Sequence, residues 1–314
     1  MSYVPDPADF REIKYKVDDS HENFIVAAPP EIPDDYPFDP YGQLSHMIQT
    51  KDWREHCPEG KQPSALIIDT FSEALEDVGR FVATSGRGNT GVGVTYGLDM
   101  EDPWAPDSLR TRQMNDFAPI QDQTLMLLKM AMRTQRFPHV ILVAHRKDIT
   151  EEVMERQANG KYQRVKKTVG YDMAVPGKAL LGNMTKFTEQ YLWHSNEGVE
   201  LMDIRLHLRG DGMHKTKFRS NKPNEVPGEL EVPPTYEGMS GVIREVAKLT
   251  GVDMGSTKDG LRTVAYGDGG TGKTMLWTSL PEETFEVGPA VYVPYDPSAA
   301  RLASVWDELR SKRH

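Results

Sequence analysis

Gly267-Asp268-Gly269-Gly270-Thr271-Gly272-Lys273-Thr274 spells GxxxxGK[ST], and it stands about forty residues from the C-terminus. Each residue type has a use in that order. The glycines let backbone N–H groups turn toward phosphate oxygens. Lys273 has the reach to meet β- and γ-phosphates, and the Thr274 hydroxyl can ligate Mg²⁺. The motif needs a strand before it and a helix after it. Leu261-Arg262-Thr263-Val264-Ala265-Tyr266 is apolar and β-compatible, and Met275-Leu276-Trp277-Thr278-Ser279-Leu280 can begin a helix. A helix start adds positive potential beside the anion. The pattern predicts a site for ATP and Mg²⁺; the alternative is a glycine-rich surface turn.

A phosphate loop also needs a carboxylate at the end of a neighbouring strand to hold Mg²⁺. Asp69 closes the apolar run Ala65-Leu66-Ile67-Ile68, and Asp296 follows Val291-Tyr292-Val293-Pro294-Tyr295. Proline cannot donate to a sheet ladder, so the second strand is expected at a sheet edge. A metal-holding strand is expected centrally, which favours Asp69 together with Thr274 as the metal pair. The other role open to Asp69 is to cap the helix that follows it, and the two could coexist.

Several elements must position these groups. Ala65–Ile68 and Val140–Ala144 are continuous apolar runs, the mark of buried parallel strands. Helices are expected over Tyr41–Trp53, Thr70–Arg80, Gln121–Arg136, Ser240–Leu249 and Pro297–Lys312, from apolar spacing and their stop signals. Strands are expected near Tyr191–Trp193, over Leu201–Leu208 and over Ala290–Val293. Gly210-Asp211-Gly212 marks a turn, so Met213–Phe218 is expected to return as a hairpin strand. Residues 84–108, with Gly86, Gly88, Gly91, Gly93 and Gly97, read as a long loop, and residues 146–182 as charged and irregular. Residues 1–60 read as a Pro- and Asp-rich arm and a short helix packing on the core. Residues 61–314 read as one domain with a connector over 221–260.

Composition sets outer limits. The chain has 314 residues, a net charge of −10 and one cysteine, Cys57. A single thiol excludes an intrachain disulfide and a cysteine-rich metal site. No apolar run approaches the roughly 20 residues of a membrane span, and the N-terminus lacks the pattern of a signal peptide. A cytoplasmic location without membrane contact is the expectation. The acidity excludes an overall basic coat, so any nucleic-acid contact must use a local patch.

Ala65-Leu66-Ile67-Ile68-Asp69-Thr70-Phe71-Ser72-Glu73-Ala74-Leu75 resembles the Walker B segment of RecA-like ATPases, closest to a phage-encoded branch associated with recombination and single-strand annealing. Val140–His145 resembles the strand that follows there, with a polar sensor at its tip. Pro176–Leu180 resembles the turn of that branch, His214–Arg219 its late basic strand, and Val291–Leu302 its second strand. The order is rotated, because such proteins begin with the phosphate loop. The resemblance therefore implies an α/β, circularly permuted RecA-like core with a mainly parallel sheet and a β-hairpin extension. In that core the sensor strand lies between the phosphate-loop and Walker B strands.

The resemblance also implies roles. Asp296 takes the place of the water-orienting acid, with Glu73 as the alternative and capping as the competing role of Asp296. His145 takes the sensor place. Lys215, Lys217 and Arg219 alternate, so on a strand they share a face. In that family such cations reach a neighbouring subunit's γ-phosphate, which implies a homo-oligomeric ring or filament. A solvated edge row is the other reading. Lys161-Tyr162-Gln163-Arg164-Val165-Lys166-Lys167 offers cations and one ring where RecA-like proteins contact DNA. Lys161, Tyr162, Arg164, Lys166 and Lys167 are the DNA candidates, against an ordinary solvated run. The expected function is a Mg²⁺-dependent ATPase acting on DNA in recombination, repair or replication. A nucleotide or small-molecule kinase and a non-catalytic, nucleotide-gated assembly component are the alternatives.

Overall fold

The computed structural model describes residues 14–30, 40–84, 117–158, 160–175, 185–186, 188–196, 203–295 and 301–311. Its strands are β1 (Lys16–Asp18), β2 (Phe24–Ala28), β3 (Ala65–Asp69), β4 (His139–Arg156), β5 (Tyr162–Met173), β6 (Gln190–Asn196), β7 (Ile204–His207), β8 (Lys217–Phe218), β9 (Glu229–Glu231), β10 (Arg262–Gly267) and β11 (Ala290–Pro294). They form one sheet in the order β1-β2-β11-β3-β4-β10-β6-β7-β9, with β5 on β4 and β8 on β6. Every neighbouring pair from β2 through β11, β3, β4 and β10 to β6 is parallel. The flanking strands β1, β7 and β9 pair antiparallel.

Alternation along the buried strands builds two cores. Leu66, Ile68, Val140, Leu142, Val264 and Tyr266 face one side. Ala65, Ile67, Ile141, Val143 and Ala265 face the other. The helices Pro40–Gln49, Phe71–Thr84 and Phe117–Arg133 cover the first face. The helices Tyr236–Thr250, Lys273–Thr278, Glu282–Val287 and Arg301–Ser311 cover the second. Parallel strands buried on both faces carry apolar residues continuously, which is why the runs were so readable. The helix Tyr236–Thr250 is bounded by local chemistry: the Thr235 side chain accepts from the Gly238 N–H, and Gly251 ends it at φ 79°. Among the described residues, no helix is long and apolar enough to cross a membrane.

Four expectations are corrected. Residues 146–173 are not irregular: β4 runs on past the sheet and folds back as β5, a two-stranded antiparallel arm. The arm has few buried side chains, so it lacks the one-sided alternation that marks a strand. The hairpin extension is therefore this arm. Met213–Phe218 does not return against β7; only Lys217–Phe218 is strand, and it pairs with β6. The strand bearing Pro294 is interior, lying between β2 and β3. Its β2 ladder ends at Tyr292, so Pro294 has no donor to supply on that side. Finally, the N-terminal segment is not simply an arm: Phe24–Ala28 is a strand of the sheet, with Phe24 to Val26 in parallel register with Ala290 to Tyr292.

Candidate nucleotide-binding site

Two parallel strands, β3 and β10, end on either side of β4 where β4 leaves the sheet. Asp69, the last residue of β3, pairs with Val143 of β4, and His145 of β4 pairs with Gly267 of β10. The loop Gly267–Gly272 leaves β10 at that edge and runs into the helix Lys273–Thr278. Its glycines are used structurally. Gly270 and Gly272 sit at φ 75° and 67°, where a side chain is strained. A Cβ on Gly267 would lie 2.5 Å from the His194 carbonyl oxygen. The loop thus passes against β6 with no room for a side chain.

Lys273 is 5% exposed. Its Nζ donates to the Gly267 carbonyl at 3.0 Å, to Thr271 Oγ1 at 3.1 Å and to the Asp268 carbonyl. Burial lowers its pKa to about 8, although the Asp69 and Asp268 carboxylates oppose the shift. An ammonium held against the loop's own carbonyls is a cation kept ready for a stronger acceptor.

Asp69 is 1% exposed. Burial raises its pKa, partly offset by the nearby Thr274 hydroxyl, by Lys273 and by Tyr292. Tyr292 donates to Oδ2 at 3.4 Å, while Oδ1 is buried without a hydrogen-bond partner among the described residues. An orphaned buried carboxylate oxygen is costly unless a cation or its water satisfies it. Asp69 and Thr274, from opposite sides of β4, therefore meet as the donor set a hard divalent cation takes. The Asp69–Thr70 peptide is cis.

The neighbouring groups are polar and partly open. His145 Nε2 lies 3.5 Å from Glu73 Oε1, and both side chains are nearly half exposed. Ser72, the first-turn serine after Asp69, accepts from the His145 N–H at 3.0 Å and donates to the Ala174 carbonyl at 2.9 Å. It ties the start of its helix to the strand tip. Beneath the loop, the Trp277 indole N–H donates to His194 Nε2 at 3.0 Å, and burial pushes the His194 pKa well down. At the mouth, Arg146 Nε lies 2.8 Å from Asp268 Oδ1. Ser72, Arg146, His194 and Tyr292 carried no signal in the sequence, because each is defined by a neighbour distant in the chain.

The structure gathers Lys273, Thr274, Asp69, Glu73 and His145, and places the other described candidates elsewhere. Lys215, Lys217 and Arg219 each have a different partner. Lys215 Nζ lies 3.0 Å from the buried Asp172 carboxylate, and Lys217 Nζ donates to the Thr185 and Thr188 carbonyls, both at 2.6 Å. Arg219 Nη1 stands 3.6 Å from Glu189 and is well exposed. Lys217 pairs with Tyr191, whereas the phosphate-loop glycine pairs with His194, so β8 lies toward the far end of β6 from this chain's own loop. Asp296, Pro176–Leu180 and Gly86–Gly97 lie outside the described residues.

The 161–167 run lies on the arm, and three of its cations have acids close by on β4 that local sequence could not show. Lys167 faces Glu151, Lys166 faces Glu152, and Arg164 Nη1 is 3.9 Å from Glu152. Opposed residues two apart share a face, so Met154, Arg156, Tyr162 and Arg164 lie together near the tip. Met154 is 58% and Tyr162 65% exposed. Comparison with protein-family models, with curated proteins and with solved structures finds no match.

Proposed function

We propose that the protein is a Mg²⁺-dependent ATPase with a circularly permuted RecA-like core. The observation that carries this reading is the adjacency of the strands that end at Asp69 and at the Gly267–Thr274 loop, on either side of β4, with Thr274 and the buried Lys273 near enough to act on the Asp69 carboxylate. A surface turn has no reason to bury a lysine and set it, with a hydroxyl, near a buried carboxylate that has an unpaired oxygen. The strand order supports the permuted reading, since β4 lies between β3 and β10 although the phosphate loop comes last in the chain.

In this reading Asp69 and Thr274 hold Mg²⁺, which would screen the triphosphate charge. Lys273 leaves the loop carbonyls for the β- and γ-phosphate oxygens, a stronger charge-assisted pairing. Glu73 orients the attacking water and takes its proton as the water oxygen bonds to γ-phosphorus and the bond from γ-phosphorus to the bridging oxygen breaks, with His145 beside it in the sensor place. ADP carries away that bridging oxygen. Asp296, at the end of the β11 segment, remains a second proposal for the water-orienting acid. DNA is the proposed partner, contacted by the arm through Arg156, Tyr162 and Arg164, with Lys161, Lys166 and Lys167 adding charge. A homo-oligomer, ring or filament, is proposed as the working assembly.

Titration calorimetry of ATP with and without Mg²⁺ tests the reading. Saturable binding strengthened by Mg²⁺ and abolished in Lys273→Ala is expected. Equal heats from the folded variant and the wild type would remove the lysine from the site.

A further inference from the structure

The arm has an unusual attachment. His145 is the last residue of β4 in register with β10, and from Arg146 onward β4 pairs only with β5. Arg146 is therefore the root of the arm. Its guanidinium carbon lies 4.3 Å from the centroid of the Tyr171 ring on β5. Tyr171 stacks on His214 at 4.5 Å, and His214 stacks on Trp193 at 3.3 Å. Trp193 belongs to β6, beside Tyr266 of the phosphate-loop strand. One column of contacts thus runs from the sheet through the arm root to Arg146, and Arg146 ends on Asp268, inside the phosphate loop.

Asp268 is the second residue of the loop, and its side chain is 55% exposed against 26% for Arg146. A polyphosphate seated on the loop would bring several negative oxygens to the mouth where Arg146 now meets one carboxylate. A planar guanidinium pairs with phosphate through two N–H donors, so the anion competes well against a single Nε contact. Movement of the guanidinium toward phosphate takes it off the Tyr171 ring and removes the outermost member of the column.

We propose that Arg146 couples the phosphate loop to the arm: with the loop free, its pairing with Asp268 clamps the arm root, and an anion on the loop draws it away and loosens that root. The direction of coupling rests on the reading that the loop binds nucleotide. The clamp itself rests only on the observed contacts. By linkage, whatever the arm binds in its loosened state would strengthen nucleotide binding in return.

Hydrogen–deuterium exchange on the full chain tests this, with a non-hydrolysable ATP analogue and Mg²⁺ as the probe and binding followed by calorimetry. In the wild type, saturating analogue should speed exchange of arm-root amides in 146–150 and 168–173 by about fivefold, the order expected for losing one part-exposed charge pair. Asp268→Asn should show the faster rate without analogue and no further response. Arg146→Gln should behave the same way. Exchange in the helix Tyr236–Thr250 should be unchanged throughout, which separates a local change from a folding defect. A wild-type arm root unmoved by bound analogue overturns the proposal, as does Asp268→Asn with wild-type rates. If calorimetry shows no binding, the nucleotide reading fails separately. Asp268→Asn then decides the clamp alone: faster exchange sustains it and unchanged exchange overturns it.

Discussion

Lys273→Met should separate the stability of the fold from its chemistry. Burial lowers the Lys273 pKa from 10.5 to about 8. In the unfolded chain the same side chain holds its proton until about pH 10.5. Below about pH 8 the folded protein therefore carries a buried ammonium that disfavours folding by about 3 kcal/mol, at 1.36 kcal/mol per pKa unit. Between about pH 8 and 10.5 the folded state sheds the proton first, the unfolded state binds more protons, and stability rises with pH. Methionine has similar length and no charge, so it removes this dependence. It also leaves the Gly267 and Asp268 carbonyls without the lysine's hydrogen bonds, so the absolute difference at one pH mixes two effects. The change of that difference with pH does not. Urea unfolding of both proteins should show wild type gaining about 2 kcal/mol on the variant between about pH 7 and 9.5. A difference independent of pH would mean that the lysine is not held charged in a desolvated loop.

Two further outcomes concern the same site and a third concerns the arm. Phosphate oxygens should stabilise the Lys273 ammonium and raise its pKa above about 8, so ATP binding near that pH takes up protons; apparent binding enthalpy must then vary with buffer ionisation enthalpy, and identical values across buffers would count against it. Gly272→Ala places a Cβ 2.5 Å from Ile204 Cδ1 at φ +67°, so unfolding should show a loss of about 1–2 kcal/mol, accompanied by loss of ATP binding; wild-type stability would contradict the loop geometry. On the arm, Arg156→Ala with Arg164→Ala should flatten the salt dependence of DNA binding by about two phosphate contacts, and Lys167→Ala should do less per charge because Lys167 lies on the opposite face, across from Glu151; equal effects per charge in an anisotropy titration would remove the one-faced arm.

What was legible in the sequence was local. The glycine-rich run 267–272, the run ending at Asp69 and the run ending at His145 each declare themselves within a few residues, since a buried parallel strand is apolar throughout and a tight turn favours glycine. Their side-by-side arrangement was expected from a resemblance, and the strand order agrees with it. The arm was not legible, because a ribbon solvated on both faces has no apolar face to alternate with a polar one. Pro294 misled for a related reason: its fitness for the sheet interior depends on where β2 stops, which the β11 sequence does not contain. Lys215 looked available for an anion, yet its partner is Asp172, set beneath the arm root by β5. Long-range pairings of this kind, Arg146 with Asp268 among them, decide which charges are committed.

The central claim is that Lys273, Thr274 and Asp69 form one Mg²⁺–ATP site. Phosphate release from ATP, followed with and without Mg²⁺ and DNA, tests it most directly in wild type, Lys273→Ala and Asp69→Asn. The account predicts Mg²⁺-dependent release by the wild type and a fall of at least about a hundredfold in each folded variant, the loss expected when phosphate or metal contacts in a phosphoryl-transfer site are removed. Folded wild type that releases no phosphate under any of these conditions, or variants that match its rate, would contradict it.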